Sequence, residues 1–308
     1  MNRFERRPLG RSRLEVSQLS LGSWRTFERI SMEDGLAVMR AAQEHGFNFL
    51  DDARYNDETG SAPIATGYSE VVFGELFRAA GWNRADTVVA NKLWWEFWPE
   101  QNAAAELDGS LARMGFEYVD LIYANPPPDG LPVGEMVAEV GELVQSGRAR
   151  AWGIVNWEPE PFLEAAQEAE RQGVALPCAA QLPYSVVQRE WVESAQMGAA
   201  LEASGAGVVA SFVIAGGVLT GKYDAGHTGR ATSEYTGTRF AAARERGARL
   251  RSLAQELGKS PAALAIAFAL ANHSVTSVLF GATSPAQIDE NATALEIDQA
   301  TVERIAAI

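Results

Sequence analysis

The chain has 308 residues, of which 47% are hydrophobic and 21% charged, and it carries a formal net charge of −14 with a single cysteine. This composition is typical of a globular protein, and the sequence lacks the apolar run of roughly 18 residues that would span a bilayer. The negative charge argues against general nucleic-acid binding, which needs clustered Lys and Arg.

The amino-terminal segment is basic but has no apolar stretch behind its charges, so it predicts neither a secretory signal nor a membrane anchor. Cys178 cannot form an intrachain disulfide and is consistent with a reducing cytoplasm. His45, His227 and His273 lack the spacing of metal ligands, so no metal site is expected. We therefore expect a soluble, cytoplasmic protein without membrane or nucleic-acid partners.

Short runs of β-branched and apolar residues alternate with helical stretches along most of the chain. The predicted strands are 16–21, 47–51, 87–91, 119–124, 149–155, 179–182, 208–213 and 277–280. The predicted helices are 32–45, 69–80, 99–114, 133–146, 160–172, 188–203 and 240–272. Strands and helices that alternate in this way pair in parallel through right-handed crossovers, and eight such units close into a barrel. The sequence thus predicts one α/β domain over residues 1–308, a single (β/α)8 (TIM) barrel.

Residues with capping and turn preferences mark several boundaries of these elements. Ser31 is the predicted N-cap of the first helix and Gly46 its stop signal, while Ser69 is the predicted cap of the second helix. Two loops, 57–68 and 223–239, are rich in Gly, Ser, Thr and Asp. Loops of this length are often lids or binding loops, and the alternative is disorder.

Polar side chains stand where the predicted strands end, which is the face that carries the site in barrels of this kind. These positions are 22–24, 51–55, 91–92, 125, 155–157, 181, 211–215 and 281–283. The segment LDDARYND, residues 50–57, closes a hydrophobic run with two carboxylates and a phenol. Asp and Asn also form ordinary turns, so this segment alone fits a turn as well as a site.

Nearly the whole chain resembles the aldo/keto reductase family. The matching segments follow the family's order: RPLGRSRLEVSQLSLGSW, LDDARY, DTVVANK, GRARAWGIVNW, QLPYSVVQRE, AGGVLTGKY and SVLFGATSPAQIDEN. LGSWRTF, YVDLIYANPPPD and ARAWG are most similar to the branch that contains voltage-gated potassium-channel β-subunits and their bacterial relatives. The resemblance implies a barrel that binds NADP(H) without a Rossmann fold and reduces aldehydes or ketones, with a small-molecule carbonyl as substrate.

The resemblance assigns Asp51, Tyr55, Lys92 and Asn125 as the catalytic group. Hydride delivery to a carbonyl builds negative charge on oxygen, so the site needs a proton donor and a polarising group. We expect Lys92 to lower the pKa of Tyr55, and Asp51 to keep Lys92 charged and oriented. Taken alone, Lys92 also fits a structural lysine with a buried stem.

Two catalytic positions depart from the family's commoner pattern. Asn125 stands where most members have His, and an amide donates a hydrogen bond but carries no titratable proton. Proton supply should then rest on Tyr55 coupled to Lys92. Tyr55 follows Asp51 by four residues where five are usual, so Tyr68 is the second candidate for the proton donor.

The resemblance also implies a set of cofactor-binding residues. They are Ser23, Trp24, Asp51, Asn156, Gln181, Ser211, Phe212, Ile214, Ala215, Gly216, Lys222, Arg230, Gly281, Thr283, Gln287, Glu290 and Asn291. Ser211 stands where the family places an aromatic residue against the nicotinamide. Strand alternation would point Phe212 to the opposite face, so the stacking group stays open.

At the adenosine end, Thr283 and Gln287 replace basic residues that many relatives use for the 2′-phosphate, so we expect only a modest preference for NADP(H) over NAD(H). Candidates for the pyrophosphate are Lys222, the backbone N–H groups of 215–219 and the start of the helix after Pro285. Thr283 or Ser284 would cap that helix with or without a ligand.

Two functions of different classes follow from these residues. One is an NADPH-dependent carbonyl reductase, and the other is an NADP(H)-binding regulatory or redox-sensor subunit with vestigial turnover. The channel-subunit resemblance also implies a homo-oligomer. Four aromatic residues after the third predicted strand indicate either an aromatic wall of the substrate pocket or packing of helix against barrel: Trp94, Trp95, Phe97 and Trp98.

Overall fold

Eight parallel strands form a closed barrel in this computed structural model, which describes residues 5–222 and 241–308. The strands are β1 (Arg6–Pro8), β2 (Glu15–Ser17), β3 (Leu19–Gly22), β4 (Phe49–Asp51), β5 (Val88–Leu93), β6 (Val119–Ala124), β7 (Ala149–Val155), β8 (Ala179–Pro183), β9 (Gly207–Ser211) and β10 (Val275–Phe280). Strands β3 to β10 make the barrel, and β10 closes it by pairing with both β3 and β9. The predicted (β/α)8 barrel is confirmed.

The first predicted strand, 16–21, is wrong as a single element. Its first part belongs to β2, which pairs antiparallel with β1, and its second part is the barrel strand β3. Gln18 separates the two strands. The sequence pattern could not show this break because Val16, Ser17 and all of β3 are buried and follow one another almost without interruption. The other seven predicted strands end within two residues of the observed ones.

Alternate residues of the barrel strands point into the barrel, as the two-residue period of a strand requires. Phe49, Ala90 and Leu121 belong to this buried interior. Leu9 and Val16, from the segment of β1 and β2, pack into the same cluster, so this hairpin closes the amino-terminal end of the barrel. In barrels of this kind the site lies at the other end, where the strands have their carboxyl termini.

The helices pack around the barrel, and three of the seven predicted helices have clearly different limits in the structure. They are α1 (Met32–Glu44), α2 (Tyr68–Ala79), α3 (Ala103–Met114), α4 (Val133–Gln145), α5 (Pro159–Gln172), α6 (Glu190–Glu193), α7 (Ala195–Ser204), α8 (Ala241–Leu257), α9 (Pro261–Leu270), α10 (Pro285–Ala292) and α11 (Gln299–Ala306). The predicted helix 99–114 begins only at Ala103, where Asn102 caps it. The predicted 188–203 and 240–272 are each two helices, because Ser194 caps α7 and Ser260 with Pro261 starts α9. None of the helices in the described ranges is long and apolar enough to cross a membrane.

Three of the predicted boundary residues can be compared directly with the structure. The Ser31 side chain accepts a hydrogen bond from the Asp34 N–H at 3.0 Å, and Gly46 has a φ of 80° after the helix, so both predictions for α1 are confirmed. The Ser69 cap is wrong, since α2 begins at Tyr68 after Gly67. The Ser69 hydroxyl instead donates to the Ala53 carbonyl at 2.7 Å, which ties α2 to the segment after β4.

Gly74 and Gly198 form a matched pair of helical glycines with opposite expected effects. A Cβ at Gly74 in α2 would lie 2.1 Å from the Met114 carbonyl oxygen, whereas a Cβ at Gly198 in α7 would meet nothing within 4 Å. We expect Gly74→Ala to lower the free energy of unfolding by about 1 to 3 kcal/mol through overpacking. Gly198→Ala should raise it by about 0.5 to 1 kcal/mol through helix propensity. Urea unfolding of both variants tests this, and a stabilised Gly74→Ala would contradict the close packing of α2 on the end of α3.

Candidate active site

A buried ion pair lies at the carboxyl-terminal end of the barrel, between β4 and β5. The Lys92 ammonium contacts the Asp51 carboxylate, and both side chains are at most 6% exposed. The second oxygen of Asp51 accepts a hydrogen bond from the Gln181 amide at 3.1 Å. All three residues stand two positions after a residue of the barrel interior, so strand alternation turns their side chains into the barrel.

Tyr55 is the tyrosine whose hydroxyl lies beside this ion pair. The Lys92 Nζ is 3.5 Å from the Tyr55 hydroxyl. The Tyr55 N–H donates to the Ala53 carbonyl at 2.8 Å, and this tight turn brings the ring back over the end of β5 although the spacing from Asp51 is short by one residue. Tyr68, the second candidate, opens α2 and packs against the hydrophobic core.

The pKa of Tyr55 is raised well above its ordinary value, so the expectation that Lys92 lowers it is wrong for this structure. Burial of the phenol is the largest cause, and the carboxylates of Asp51 and Asp52 come next. The Lys92 ammonium, which is in contact with Asp51, does not outweigh these effects on the free phenol. A raised pKa keeps Tyr55 protonated, so the phenol is a donor that holds its proton tightly.

Asn125 follows β6 at the same rim and is partly exposed. Its side-chain amide donates to the Leu93 carbonyl at 3.0 Å, and its backbone carbonyl accepts from the Trp95 indole at 3.1 Å. One amide N–H is thus used in fixing the segment after β5. The second amide hydrogen of Asn125 can then donate to a carbonyl substrate.

Sequence reasoning missed a second polar cluster, on the outer side of β4 and β5. Asp52 is fully buried and accepts a hydrogen bond from the Ser23 hydroxyl through one oxygen. Glu70 of α2, also fully buried, accepts from the Asn91 amide at 2.9 Å and pairs with Arg113 at 2.5 Å. Only the Asp52 part had a local signal, the second carboxylate of LDDARYND. Glu70 gave no such signal because it lies in the first turn of α2, where acidic residues are common and usually exposed.

Tyr123 is a further interior residue that the sequence did not single out. It follows Leu121 by two positions on β6 and is fully buried, with the Lys92 Nζ 5.9 Å from its ring centroid. Burial, and then the charge of Asp51, raise the pKa of Tyr123 well above its ordinary value. Its ring fills the barrel below the Asp51 and Lys92 pair, and strand alternation alone would have placed it there.

Trp24 and Phe212 form an aromatic contact on the rim. Their ring centroids lie 5.6 Å apart at 61°. The argument from alternation that excluded Phe212 is wrong because β9 ends at Ser211 and Phe212 has a φ of 53°. Arg25, Trp95, Asn156 and Ala215 also have positive φ, and each lies in a loop after β3, β5, β7 or β9. Backbone strain of this kind concentrates at functional sites.

The remaining predicted cofactor-binding residues lie on the same side of the barrel. Asn156 is exposed after β7, Lys222 is exposed after the turn at 215–217, Gly281 and Thr283 follow β10, and Gln287, Glu290 and Asn291 lie on α10. Ile214 and Gly216 lie in the turn after β9, and Arg230 falls outside the described residues.

The turn at 215–219 uses its own N–H groups. Those of Ala215, Gly217, Val218 and Leu219 donate to carbonyls of residues 212–215. These four groups are therefore not available to bind pyrophosphate, contrary to the expectation from the sequence. Ser284 is the N-cap of α10, but its hydroxyl makes no capping bond. The Gln287 side chain accepts from the Thr283 N–H at 2.8 Å instead.

The loop 57–66 borders the site and is folded on itself rather than disordered. The Asp57 carboxylate accepts hydrogen bonds from the Thr59 hydroxyl and N–H and from the Ala62 N–H, at 2.7 to 3.0 Å. These bonds, the Thr59 hydroxyl first, lower the pKa of Asp57 to about 2. Asn56 and Thr66 form a bridge that closes the loop. The second predicted loop, 223–239, lies outside the described residues.

The aromatic residues after β5 fit both alternatives left open by the sequence: two of them pack against the core, and two are exposed at the rim, where they can form a wall of the pocket. Trp95 is buried and Trp98 packs against the core, whereas Trp94 and Phe97 are 36% and 49% exposed. The Trp94 ring lies 5.9 Å from the Tyr55 ring in an edge contact. Glu106 fixes this segment by accepting hydrogen bonds from the N–H groups of Trp94 and Trp95, at 2.8 and 3.1 Å.

A cavity of about 690 Å³ lies at the opposite end of the barrel, between β1, α7 and the starts of β9 and β10. A much smaller one, of about 20 Å³, lies beside Tyr55 and the loop 57–66. Volume alone would favour the first as a ligand site. We place the site at the carboxyl-terminal end, the side of the second cavity, because titratable groups, strained backbone and aromatic rings lie at that end of the barrel.

A closed parallel barrel with a buried Asp and Lys and a half-buried Tyr at the carboxyl ends of its strands is the arrangement of an oxidoreductase family. A model of the aldo/keto reductase family matches residues 18–308, and the chain belongs to that family, whose members generally bind NAD(P)H. The chain is 34% identical over 306 residues to a probable voltage-gated potassium channel subunit beta of Oryza sativa subsp. japonica, covering 94% of this chain and 90% of that protein. It is 30% identical over 311 residues to the protein of the same description from Arabidopsis thaliana, with the same coverage. The predicted branch of the family is confirmed.

Proposed function

We propose that the protein reduces an aldehyde or ketone to an alcohol with NADPH, with Tyr55 as the proton donor. The observation that carries the proposal is the buried contact of Lys92 with Asp51, with the Tyr55 hydroxyl 3.5 Å from the Lys92 Nζ. A buried ammonium and a protonated phenol side by side suit a reaction in which a carbonyl oxygen gains negative charge and then a proton.

Each residue of this group has a separate task in the proposed reaction. Tyr55 donates its proton to the carbonyl oxygen. Lys92 stabilises the phenolate that remains, and Asp51 keeps Lys92 protonated and fixed in position. Asn125 donates a hydrogen bond from its second amide hydrogen to the same oxygen and so orients the substrate. The exposed Trp94, in contact with the Tyr55 ring, shields the reacting atoms from water.

The rim residues fit a nicotinamide cofactor in both their apolar and their polar parts. Trp24 and Phe212 offer an aromatic border, and Gln181 lies against Asp51 where a polar ring substituent or ribose can be held. Lys222 is exposed for the phosphates, and α10 carries Glu290 and Asn291 for the adenine. When bound, the reduced nicotinamide supplies the hydride.

We predict that NADPH binds more tightly than NADH. Arg230 and Lys222 can pair with the 2′-phosphate and pyrophosphate, while Thr283 and Gln287 supply only neutral contacts. One or two charge-assisted hydrogen bonds contribute roughly 1 to 3 kcal/mol, about a tenfold to a hundredfold difference in Kd. Fluorescence titration with both reduced cofactors measures the difference, and equal affinities would remove the assignment.

Turnover tests the reductase proposal. Purified protein with NADPH and a panel of aldehydes, ketones and quinones should consume the cofactor in proportion to the alcohol formed. Ser146→Ala, a surface control far from the rim, should behave as the wild-type protein does. Failure of every carbonyl in the panel, with cofactor still bound, would contradict the proposal.

The second candidate function is that of a regulatory or sensor subunit, because both relatives are described as probable channel subunits. This candidate requires very slow release of NADP(H) and little turnover. Displacement of bound NADPH by excess NADP⁺ measures the release rate directly. Rapid release of NADP(H) would exclude a sensor role, since that role requires the cofactor to stay bound. The homo-oligomer implied by the same branch stays a prediction.

A further inference from the structure

Asp52 is a buried carboxyl that forms no ion pair with any of the described residues. It is fully buried, one oxygen accepts from the Ser23 hydroxyl, and the other oxygen has no hydrogen-bond partner among the described residues. Leaving a buried carboxylate oxygen unpaired is costly, whereas a neutral carboxyl tolerates the same surroundings far better.

The charges around Asp52 point in the same direction. Lys92 is paired with Asp51, and Arg113 is paired with Glu70, so each of these carboxylates has its own cation. Asp52 has none in the described part of the chain. Burial, followed by the charge of Glu70, raises the pKa of Asp52 well above its ordinary value, and the Ser23 hydroxyl, the Ala53 backbone N–H and Lys92 oppose this only in part.

We propose that Asp52 is a positioning residue that keeps its proton at neutral pH, so that it holds the Ser23 hydroxyl on the rim without placing a second negative charge beside Tyr55. An ionised Asp52 would strengthen the hold of Tyr55 on its proton and oppose charge growth on the carbonyl oxygen. The link to Tyr55 rests on the proposed reductase function, whereas the proton on Asp52 does not.

The groups that face Asp52 set the conditions for this proton. They are Tyr55 and the Ala53 backbone N–H on the same segment, Ser23 after β3, Glu70 on α2 and Lys92 on β5. Glu70 carries the negative charge among them, and the single cation, Lys92, is already in contact with Asp51. The balance favours the neutral carboxyl at Asp52.

Infrared spectroscopy reports the proton directly, through the carbonyl stretch of a protonated carboxylic acid that ionised carboxylates lack. At pH 7 the wild-type protein should show such a band and Asp52→Asn should lose it. Asp120→Asn is the matched control, since Asp120 is equally buried but pairs with Arg84 and Arg150 at 2.5 and 3.0 Å. That control should keep the band. Ser23→Ala should keep it at a shifted frequency, which tests the contact even if Asp52→Asn does not fold.

Unfolding equilibria give a second readout that does not depend on activity. Because the folded protein binds the Asp52 proton more tightly than the unfolded chain, stability falls as pH rises from about 4 towards the folded pKa. Asp52→Asn should therefore gain stability over wild type, by up to tenfold in the unfolding equilibrium constant per pH unit above about 4. Asp120→Asn should lose stability instead.

The pH profile of kcat/KM tests the link to Tyr55. With Asp52 neutral, the alkaline limb should lie at the same pH in wild type and Asp52→Asn. The inference would be overturned if the alkaline limb of the kcat/KM profile moved to lower pH in Asp52→Asn. It would also be overturned if the wild-type and Asp52→Asn infrared spectra showed no difference in the carboxylic acid band. If the protein turns over no carbonyl while the band and the stability gain are present, the reductase proposal fails and the proton on Asp52 stands.

Discussion

Tyr55→Phe should lower the turnover number for carbonyl reduction by about two orders of magnitude or more, the scale of general-acid catalysis. The phenol lies 3.5 Å from the Lys92 Nζ, and its raised pKa keeps the proton on the oxygen until a carbonyl accepts it. The affinity for NADPH should hardly change, because the substitution removes a single hydroxyl that acts on the substrate. Steady-state kinetics together with a fluorescence titration measure both quantities.

Tyr68→Phe is the matched control for this prediction. Tyr68 opens α2 and borders the same small cavity as Tyr55, but its ring packs against the hydrophobic core. Its hydroxyl should therefore be dispensable for turnover. Full activity in Tyr55→Phe combined with its loss in Tyr68→Phe would show that the proton comes from the segment after the loop 57–66.

Lys92→Met should both abolish turnover and destabilise the protein. The substitution leaves the Asp51 carboxylate, which is 2% exposed, with the Gln181 amide as its one side-chain partner within residues 5–222 and 241–308. Removing one member of a buried ion pair typically costs about 3 to 5 kcal/mol, because the other charge stays buried and uncompensated. Urea unfolding measures the loss of stability, and single-turnover kinetics measure the loss of activity.

The double variant Asp51→Asn with Lys92→Met separates these two effects. Replacing both charges by neutral groups of similar size removes the uncompensated charge, so much of the stability should return. The carboxamide oxygen that Asp51→Asn introduces would still accept the Gln181 hydrogen bond. Activity should not return, since neither replacement stabilises a phenolate. Recovery of turnover in the double variant would mean that the ion pair serves the fold alone.

The barrel could be predicted from the sequence because its strands are apolar runs of regular spacing. Residues 119–124 and 149–155 were predicted at their observed limits, and parallel pairing then left few alternatives. The prediction of a single first strand was wrong because β2 and β3 follow one another with Gln18 alone between them, and both are largely buried. Helix ends were predicted wrongly where a capping residue lies inside an otherwise helical sequence pattern, as Ser194 does before α7.

The site was predicted where strand alternation and the family resemblance agree. Asp51, Lys92 and Gln181 all lie where strand period and strand end together place them. Phe212 was misjudged because a φ of 53° redirects it, and positive φ at a non-glycine residue has no simple sequence signal. The direction of the Tyr55 pKa shift was wrong because it depends on burial and on carboxylates brought together only by folding.

The most direct test of the central claim is a single-turnover reaction with NADPH that carries deuterium at its transferable position. The protein, loaded with labelled cofactor, is mixed with one reactive aldehyde, and the product is analysed by mass spectrometry. The account predicts an alcohol with one deuterium on the former carbonyl carbon, formed at a rate that Tyr55→Phe slows by about two orders of magnitude. Oxidised cofactor without labelled alcohol, or a rate indifferent to Tyr55→Phe, would contradict it.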